Sequence, residues 1–317
     1  MPLPRPACTI TVDGLALTGA QAALRLLDAE LSLENGHDRV RLDCGPASPL
    51  QQARCGALCT LTLGYGDDKT AVFSGEVDRV EQGLHGVGLE MLAPTIRLSR
   101  WFGAQTYQEQ TVAGIVRDLV TKAGVPTATI AADATVSIWH VDERRSAWWH
   151  INRLAALGDY ELLCEPSGAL SLRSTGSGGR THTLRHGADI LALSAAEQTT
   201  SDSRRADRSG AGSELGSDKW HIVLRDPAPG EAVRIEGALR TRDAAQTMSK
   251  AMQARRERAG FTGRVLTLGS PIIRPGDSAE LAGLPEGGTV RGRIVELRHR
   301  FDAAYGFTTL LSLGGCA

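Results

Sequence analysis

The stretch Val295-Glu-Leu-Arg-His-Arg-Phe-Asp-Ala-Ala-Tyr-Gly-Phe-Thr-Thr-Leu-Leu-Ser-Leu313 decides the fold. Val295, Leu297, His299 and Phe301 fall at every second position with charged residues between them, which is the period of a strand with one buried face. Asp302 to Gly306 offers a turn, and Phe307, Thr309, Leu311 and Leu313 carry the same period back, so the segment predicts a long antiparallel hairpin. Just upstream, 261–268 and 277–281 read as two further strands, separated by the turn Arg274-Pro-Gly276.

Working outward, apolar and polar residues alternate in 8–12, and 24–33, 58–65, 72–80 and 87–91 are strand-like runs punctuated by Gly and Asp. A content of 36 Gly and 13 Pro with only 4% aromatics fits many short strands and turns. The pattern changes after Trp101, where Val112, Ile115, Val116, Leu119, Val120 and Ala123 recur at helical spacing behind the N-cap candidate Thr111. A second helix is predicted from Ser146 to Gly158, burying Trp148, Ile151, Leu154 and Ala155, and 160–173 then reads as a hairpin. Later come strands near 220–224 and 232–236 and a helix over 241–258 with an inward stripe of Ala244, Ala245, Met248, Ala251 and Met252. The expectation is a β-dominated α+β chain: a first β-barrel domain over 1–104, a small α/β insert over 105–175, and a second β-barrel domain over 176–317. Residues 201–218, rich in Ser, Gly and charge, are expected to be a mobile loop within the last of these.

The formal net charge is −1 and the sequence pI about 6.7, so no global charge draws the chain to nucleic acid or an anionic membrane. No apolar run reaches signal-peptide or membrane-span length, which predicts a soluble protein made in the cytoplasm. Cys8, Cys44, Cys55, Cys59, Cys164 and Cys316 are too sparse for a disulfide scaffold and are expected to be reduced and buried.

Five C-terminal words occur in a telling order: Gly263-Arg-Val-Leu-Thr-Leu268, Pro271-Ile-Ile-Arg-Pro-Gly-Asp277, Leu281-Ala-Gly-Leu284, His299-Arg-Phe-Asp302 and Tyr305-Gly-Phe-Thr-Thr309. They resemble the phage late control gene D family of baseplate hub proteins, which also forms the N-terminal part of VgrG-type spike proteins. Gln110-Thr-Val-Ala-Gly-Ile-Val116, Ser146-Ala-Trp-Trp-His150 and Leu154-Ala-Ala-Leu-Gly158 are similar to the insert of that family. The resemblance implies a homotrimer, each subunit giving two tube-like antiparallel β-barrels to a ring of pseudo-sixfold symmetry. Such a ring adapts a sixfold tail tube to a threefold spike. Tail spike, tail tube, other baseplate and tape-measure proteins are the implied partners, in a virion tail baseplate whose channel DNA traverses without specific binding. With no repetitive tail after Ala317, the spike is expected to be a separate chain. The hub of a bacterial contractile injection system fits the same words.

Chemical alternatives are weaker. Cys55 and Cys59 with Cys44 and His37 form a four-ligand candidate for zinc, but no second close pair follows. His182 and His186 lie about 13 Å apart if extended, at roughly 3.3 Å per residue. His140, His150 and His221 read as surface or partly buried, and no nucleophile elbow is present. Gly283-Leu-Pro-Glu-Gly-Gly288 lacks the lysine of a phosphate loop and reads as a turn. Glu109, Asp118, Asp142 and Glu143 are the carboxylates a tail-associated cell-wall hydrolase would draw on, with no spacing to set them apart from solvated residues. Arg204, Arg205 and Arg208, and Arg255, Arg256 and Arg258, form two basic clusters that read as a loop and a solvated helix face rather than a DNA site. The chain is therefore expected to act by assembly, with no catalytic residue, cofactor or metal.

Overall fold

The computed structural model describes residues 5–33, 37–197, 207–211, 221–224, 232–234, 242–285, 289–302 and 305–315. The first part of the chain contributes β1 (Pro6–Val12), β2 (Leu15–Thr18), β3 (Leu24–Ser32), β4 (Arg39–Cys44), β5 (Leu58–Tyr65), β6 (Asp68–Gly83) and β7 (Gly86–Leu92). A mixed segment follows: α1 (Ile96–Arg100), β8 (Gln105–Thr111), α2 (Val112–Lys122), β9 (Thr127–Ile130), β10 (Thr135–Val141), α3 (Ala147–Leu157), β11 (Tyr160–Cys164) and β12 (Leu170–Ser174). The last part holds β13 (Thr181–Arg185), β14 (Ile190–Glu197), β15 (Asp207–Ala211), β16 (His221–Leu224), β17 (Ala232–Arg234), α4 (Arg242–Arg258), β18 (Phe261–Leu268), β19 (Ser278–Ala282), β20 (Val290–Asp302) and β21 (Gly306–Gly314).

One sheet runs through both β regions. Its path of eleven strands is β14-β18-β21-β20-β3-β4-β7-β6-β5-β1-β2. The link is β20, which changes partner along its length. Residues 290–293 pair with β19, whereas 296–302 pair with β3 while the other edge stays on β21. In the second region β13-β19-β20-β21-β18-β14 forms a barrel-like circuit, its ends joined by a short turn and a bridge between His186 and Ile190. A single core lies against this sheet and draws on both regions, with Leu27, Leu61 and Met91 in the same cluster as Val265, Ile294 and Leu311. A second core, around Ile115, Leu119, Ile151, Leu154 and Leu172, belongs to the mixed segment. There Thr111 caps α2 by accepting from Gly114 N at 3.1 Å, and Ser146 caps α3 by accepting from Trp149 N at 3.4 Å.

Four expectations need correction. Val295 does not share the face of Leu297 and His299: a bulge between Ile294 and Glu296 inserts one residue, so Ile294 is buried, Val295 is not, and the alternation restarts at Leu297. The strands β2, β4, β8, β9, β10 and β14 have no counterpart in the sequence reading. Within 201–218, residues 207–211 form a strand that pairs with β16 and β17, because a parallel and an antiparallel neighbour both satisfy its backbone. The remainder of that stretch, with Arg204 and Arg205, lies outside the described residues, as do Ala244 and Ala245 of the α4 stripe at side-chain level, Cys316, and the last part of Gly283–Gly288. Finally, His150 is 1% exposed, since it sits one helical turn from Ala147 on the inward face of α3.

Candidate functional site

Along the eleven-strand path, each strand turns one set of side chains to the core and the other outward. The outward set in the centre of the sheet is charged: Asp28 and Glu30 on β3, Arg39, Arg41 and Asp43 on β4, Glu90 on β7, Arg79 and Glu81 on β6, Arg298 and Arg300 on β20. Opposite signs meet across strands. Arg298 Nε donates to Asp28 Oδ1 at 2.5 Å, Arg39 Nη2 to Glu30 Oε2 at 2.5 Å, and Arg25 Nη2 to Asp43 Oδ1 at 2.5 Å. Seven of these charges, Asp28, Arg41, Asp43, Arg79, Glu81, Glu90 and Arg298, line one shallow groove of about 340 Å³. The Arg25–Asp43 pair, exposed on both sides, adds little stability, whereas Asp28 is buried beneath Arg298. The effect of the whole set is a hydrated face of nearly balanced charge, which neither grips a polyanion nor repels one.

Among the described residues the eleven-strand path ends in two strands with a free edge, and β13, off that path, pairs only with β19 apart from the bridge at His186. At one end β14 pairs only with β18 apart from the bridge at Ile190, and its residues 191–196 are exposed. Leu191 (53% exposed) and Leu193 lie there beside Leu268 of β18 (49%). At the other end β2 pairs only with β1, and Leu15 (48%) and Leu58 (67%) are exposed nearby. Half of the exposed large apolar side chains among the described residues thus sit at the two ends of one sheet. An unpaired, apolar edge of this kind is a template for another chain.

Buried charges tie the mixed segment to the second β region and the second β region to the first. Glu161 of β11 accepts from Arg293 Nη2 of β20 at 2.7 and 2.5 Å and from Arg173 Nε of β12 at 2.9 Å. The turn at Gly276 closes over this triad with φ +89, a backbone conformation that favours glycine, and a Cβ there would lie 2.6 Å from Arg173 Nη2 and push that guanidinium aside. Next to it Asp277 accepts from Arg180 N at 2.9 Å, Arg274 N at 3.0 Å and His182 Nε2 at 2.8 Å. Burial pushes its carboxyl up, but these donors outweigh burial and hold it below the usual carboxylate range. Arg274 then reaches the first β region, donating from Nη1 to Val72 O at 3.0 Å and from Nη2 to Ala71 O.

Asp38, in the same neighbourhood, is 6% exposed and has one side-chain contact of note, accepting from Ser32 N at 3.1 Å. Burial pushes its carboxyl up to about 7, against the pull of the Ser32 N–H and the charge of Arg274. Because the folded carboxyl keeps its proton to higher pH than the unfolded chain, the cost of burying the charge is absent at acid pH and grows as pH rises to about 7. Asp38→Asn is therefore expected to leave stability nearly unchanged at about pH 4 and to raise it at about pH 8. Urea midpoints at the two pH values check this, and an equal change at both would contradict it.

The other sequence candidates are used structurally. His37 bonds Thr95 Oγ1 at 3.0 Å and Ser99 Oγ at 2.7 Å and packs on Trp148 with ring centroids 4.6 Å apart, so it joins the first β region to the mixed segment. Burial, then the charge of Arg100, lowers its pKa to about 4. Cys44 and Cys59 are buried while Cys55 is exposed, and no group of three or more metal-binding side chains occurs among the described residues. His182 is held by Asp277, His186 is exposed, and His140 bonds Thr106 at 2.9 Å. Asp118 accepts from Tyr107 Oη at 2.5 Å and from Lys122 Nζ at 2.7 Å, Asp142 accepts from Arg144 N at 2.8 Å, and Glu109 and Glu143 are exposed. The structure does not bring these four carboxylates into one described cavity. Arg255 and Arg258 turn inward to Asp159 rather than forming a solvated basic face.

No family model matches the sequence, and no curated protein does. Solved structures do match. A tail protein from Neisseria meningitidis MC58 superposes with a TM-score of 0.76 at 16% identity, over 98% of this chain and 96% of that one. The 43 kDa tail protein of prophage MuSo2 from Shewanella oneidensis gives 0.71 at 14% identity, over 97% and 98%. An Escherichia coli component of the type VI secretion system, itself similar in structure to the bacteriophage T4 tail proteins gp27 and gp5, gives 0.64 at 9% identity, over 97% and 77%. At these identities the likeness is one of fold: the chain has the β-dominated architecture of tail proteins.

Proposed function

We propose that the chain is the central hub of a contractile phage tail, a homotrimer that joins a sixfold tail tube to a threefold spike and forms part of the ejection channel. The observation that carries this reading is the eleven-strand sheet that runs through both β regions, buried on one face, charged on the other and open at both ends among the described residues. Three copies placed edge to edge satisfy the free backbone groups of β14 and β2, cover their leucines and close the sheet into a wall. The charged face then lines the channel, where balanced charge lets DNA pass without being held. On this reading the chain acts by assembly, with no chemistry of its own, and its place is the tail baseplate. The likeness to the type VI component supports a second reading, the hub of a bacterial contractile injection system, which would use the same ring.

Light scattering of the purified chain, alone and with the spike protein of the same gene cluster, tests the proposal. A trimer, or a monomer that becomes trimeric with the spike, is expected. A monomer indifferent to the spike removes the reading.

A further inference from the structure

We propose that Asp38 and Arg274 form a proton-controlled clasp at the joint between the two β regions. In this structure Arg274, in the turn before β19, holds β6 by donating to Val72 O at 3.0 Å and to Ala71 O. Those carbonyls lie where β6 has use for an outside partner. A bulge opposite Leu61 and Thr62 takes Val72 out of the pairing with β5, and β7 pairs with β6 only from Glu76 onward. Asp38 stands directly before β4, close enough that it and Arg274 each feel the other's charge. Among the described residues no ion pair joins them.

Asp38 is 6% exposed and accepts from Ser32 N, a single donor for a carboxylate that takes several when ionised. An enclosed charge with so little support costs free energy until a counter-charge arrives, and Arg274 is the cation whose field reaches it. Loss of the Asp38 proton therefore draws Arg274 off the neutral carbonyls of β6 and onto the carboxylate, the stronger acceptor for a guanidinium. The second β region is then fastened to the start of β4 in place of β6.

The other ionisable groups around the pair come from every part of the joint. Cys164 of β11 faces Asp38, and Glu165, which accepts from Ser171 Oγ at 2.7 Å, faces Arg274. His299 of β20 feels the charge of Arg274, and His37 beside Asp38 feels that of Arg100. Burial keeps the Cys164 thiol protonated and both of these histidines neutral through the neutral range, whereas Asp277 is ionised there. Asp38, with its carboxyl pushed up to about 7, changes charge within that range. His182 reaches Arg274 through Asp277, which both bond. This inference does not depend on the chain being a hub.

Carbonyl–nitrogen correlation NMR of the intact chain, labelled at alanine carbonyls and valine nitrogens, tests it. Ala71-Val72 and Ala232-Val233 are the Ala-Val pairs of the sequence, so the first reports the clasp and the second serves as a reference. Between about pH 5.5 and about pH 8.5 the Ala71 carbonyl is expected to move upfield, as a carbonyl losing a hydrogen bond does, in one step centred at about 7. The Asp38 carboxyl should titrate with the same midpoint, and in Asp38→Asn, which cannot ionise, the Ala71 signal should stay fixed. A fixed or downfield-moving Ala71 signal in the unsubstituted chain, or an Asp38 midpoint near the ordinary value of about 4, overturns the proposal whether or not the variant folds. An equal upfield step in Asp38→Asn also overturns it, and assigns the movement to His182.

Discussion

Glu161→Ala is expected to lower the unfolding free energy by about 3–5 kcal/mol, the usual cost of removing one member of a buried ion set. The carboxylate links Arg173 to Arg293, which would be left facing each other with 20% and 5% side-chain exposure and without the counter-charge they share. Water cannot take the place of the lost partner cheaply in so closed a position. The loss should fall on the docking of the mixed segment against β20, because Glu161 and Arg293 stand 132 residues apart in the chain. Replacing both, as Glu161→Leu with Arg293→Met, should recover part of it, since the more deeply buried guanidinium is then removed together with its partner. Urea unfolding of the single and double variants gives the comparison. A single-variant loss under about 1 kcal/mol would mean that the triad is open to solvent and does not fasten the two parts.

The second large effect concerns assembly. On the hub reading, Leu191→Lys, at a position already 53% exposed, should leave the monomer folded while abolishing the proposed trimeric ring at micromolar concentration. Covering a leucine contributes about 1.5–3 kcal/mol, and an ammonium buried in its place adds a desolvation cost. A loss of about 3 kcal/mol at each contact is more than a hundredfold in affinity, and a closed trimer has three such contacts. Sedimentation velocity with circular dichroism separates loss of assembly from loss of fold. A trimer unaffected by the substitution would place β14 away from the subunit boundary.

How much can be read beforehand differs from element to element. The hairpin of β20 and β21 is legible because one face is buried and the other solvated, so the alternation is written in residue type. Its bulge is not, since the apolar pair Ile294-Val295 allows either phase and only the partner strands choose. In β4, Arg39-Val-Arg-Leu-Asp-Cys44 alternates without fault, yet its charge suggests a loop until a sheet is known to flank it on both sides. His150 is spaced for burial with Ile151 and Leu154, but its polarity argues the other way. The charged face and the Glu161 triad depend on pairs far apart in sequence, such as Asp28 with Arg298, 270 residues away, and no local pattern reports them.

The partner change in β20 also sets how the molecule carries load. A pull parallel to that strand works against the β3 and β21 ladders in shear, so every bond of the 296–302 segment resists at once. A pull across it opens the same ladders one bond at a time, as a zip does. The two β regions therefore form a joint that is stiff along one direction and weak along the other, and on the hub reading the stiff direction is expected to lie along the stroke that drives the spike.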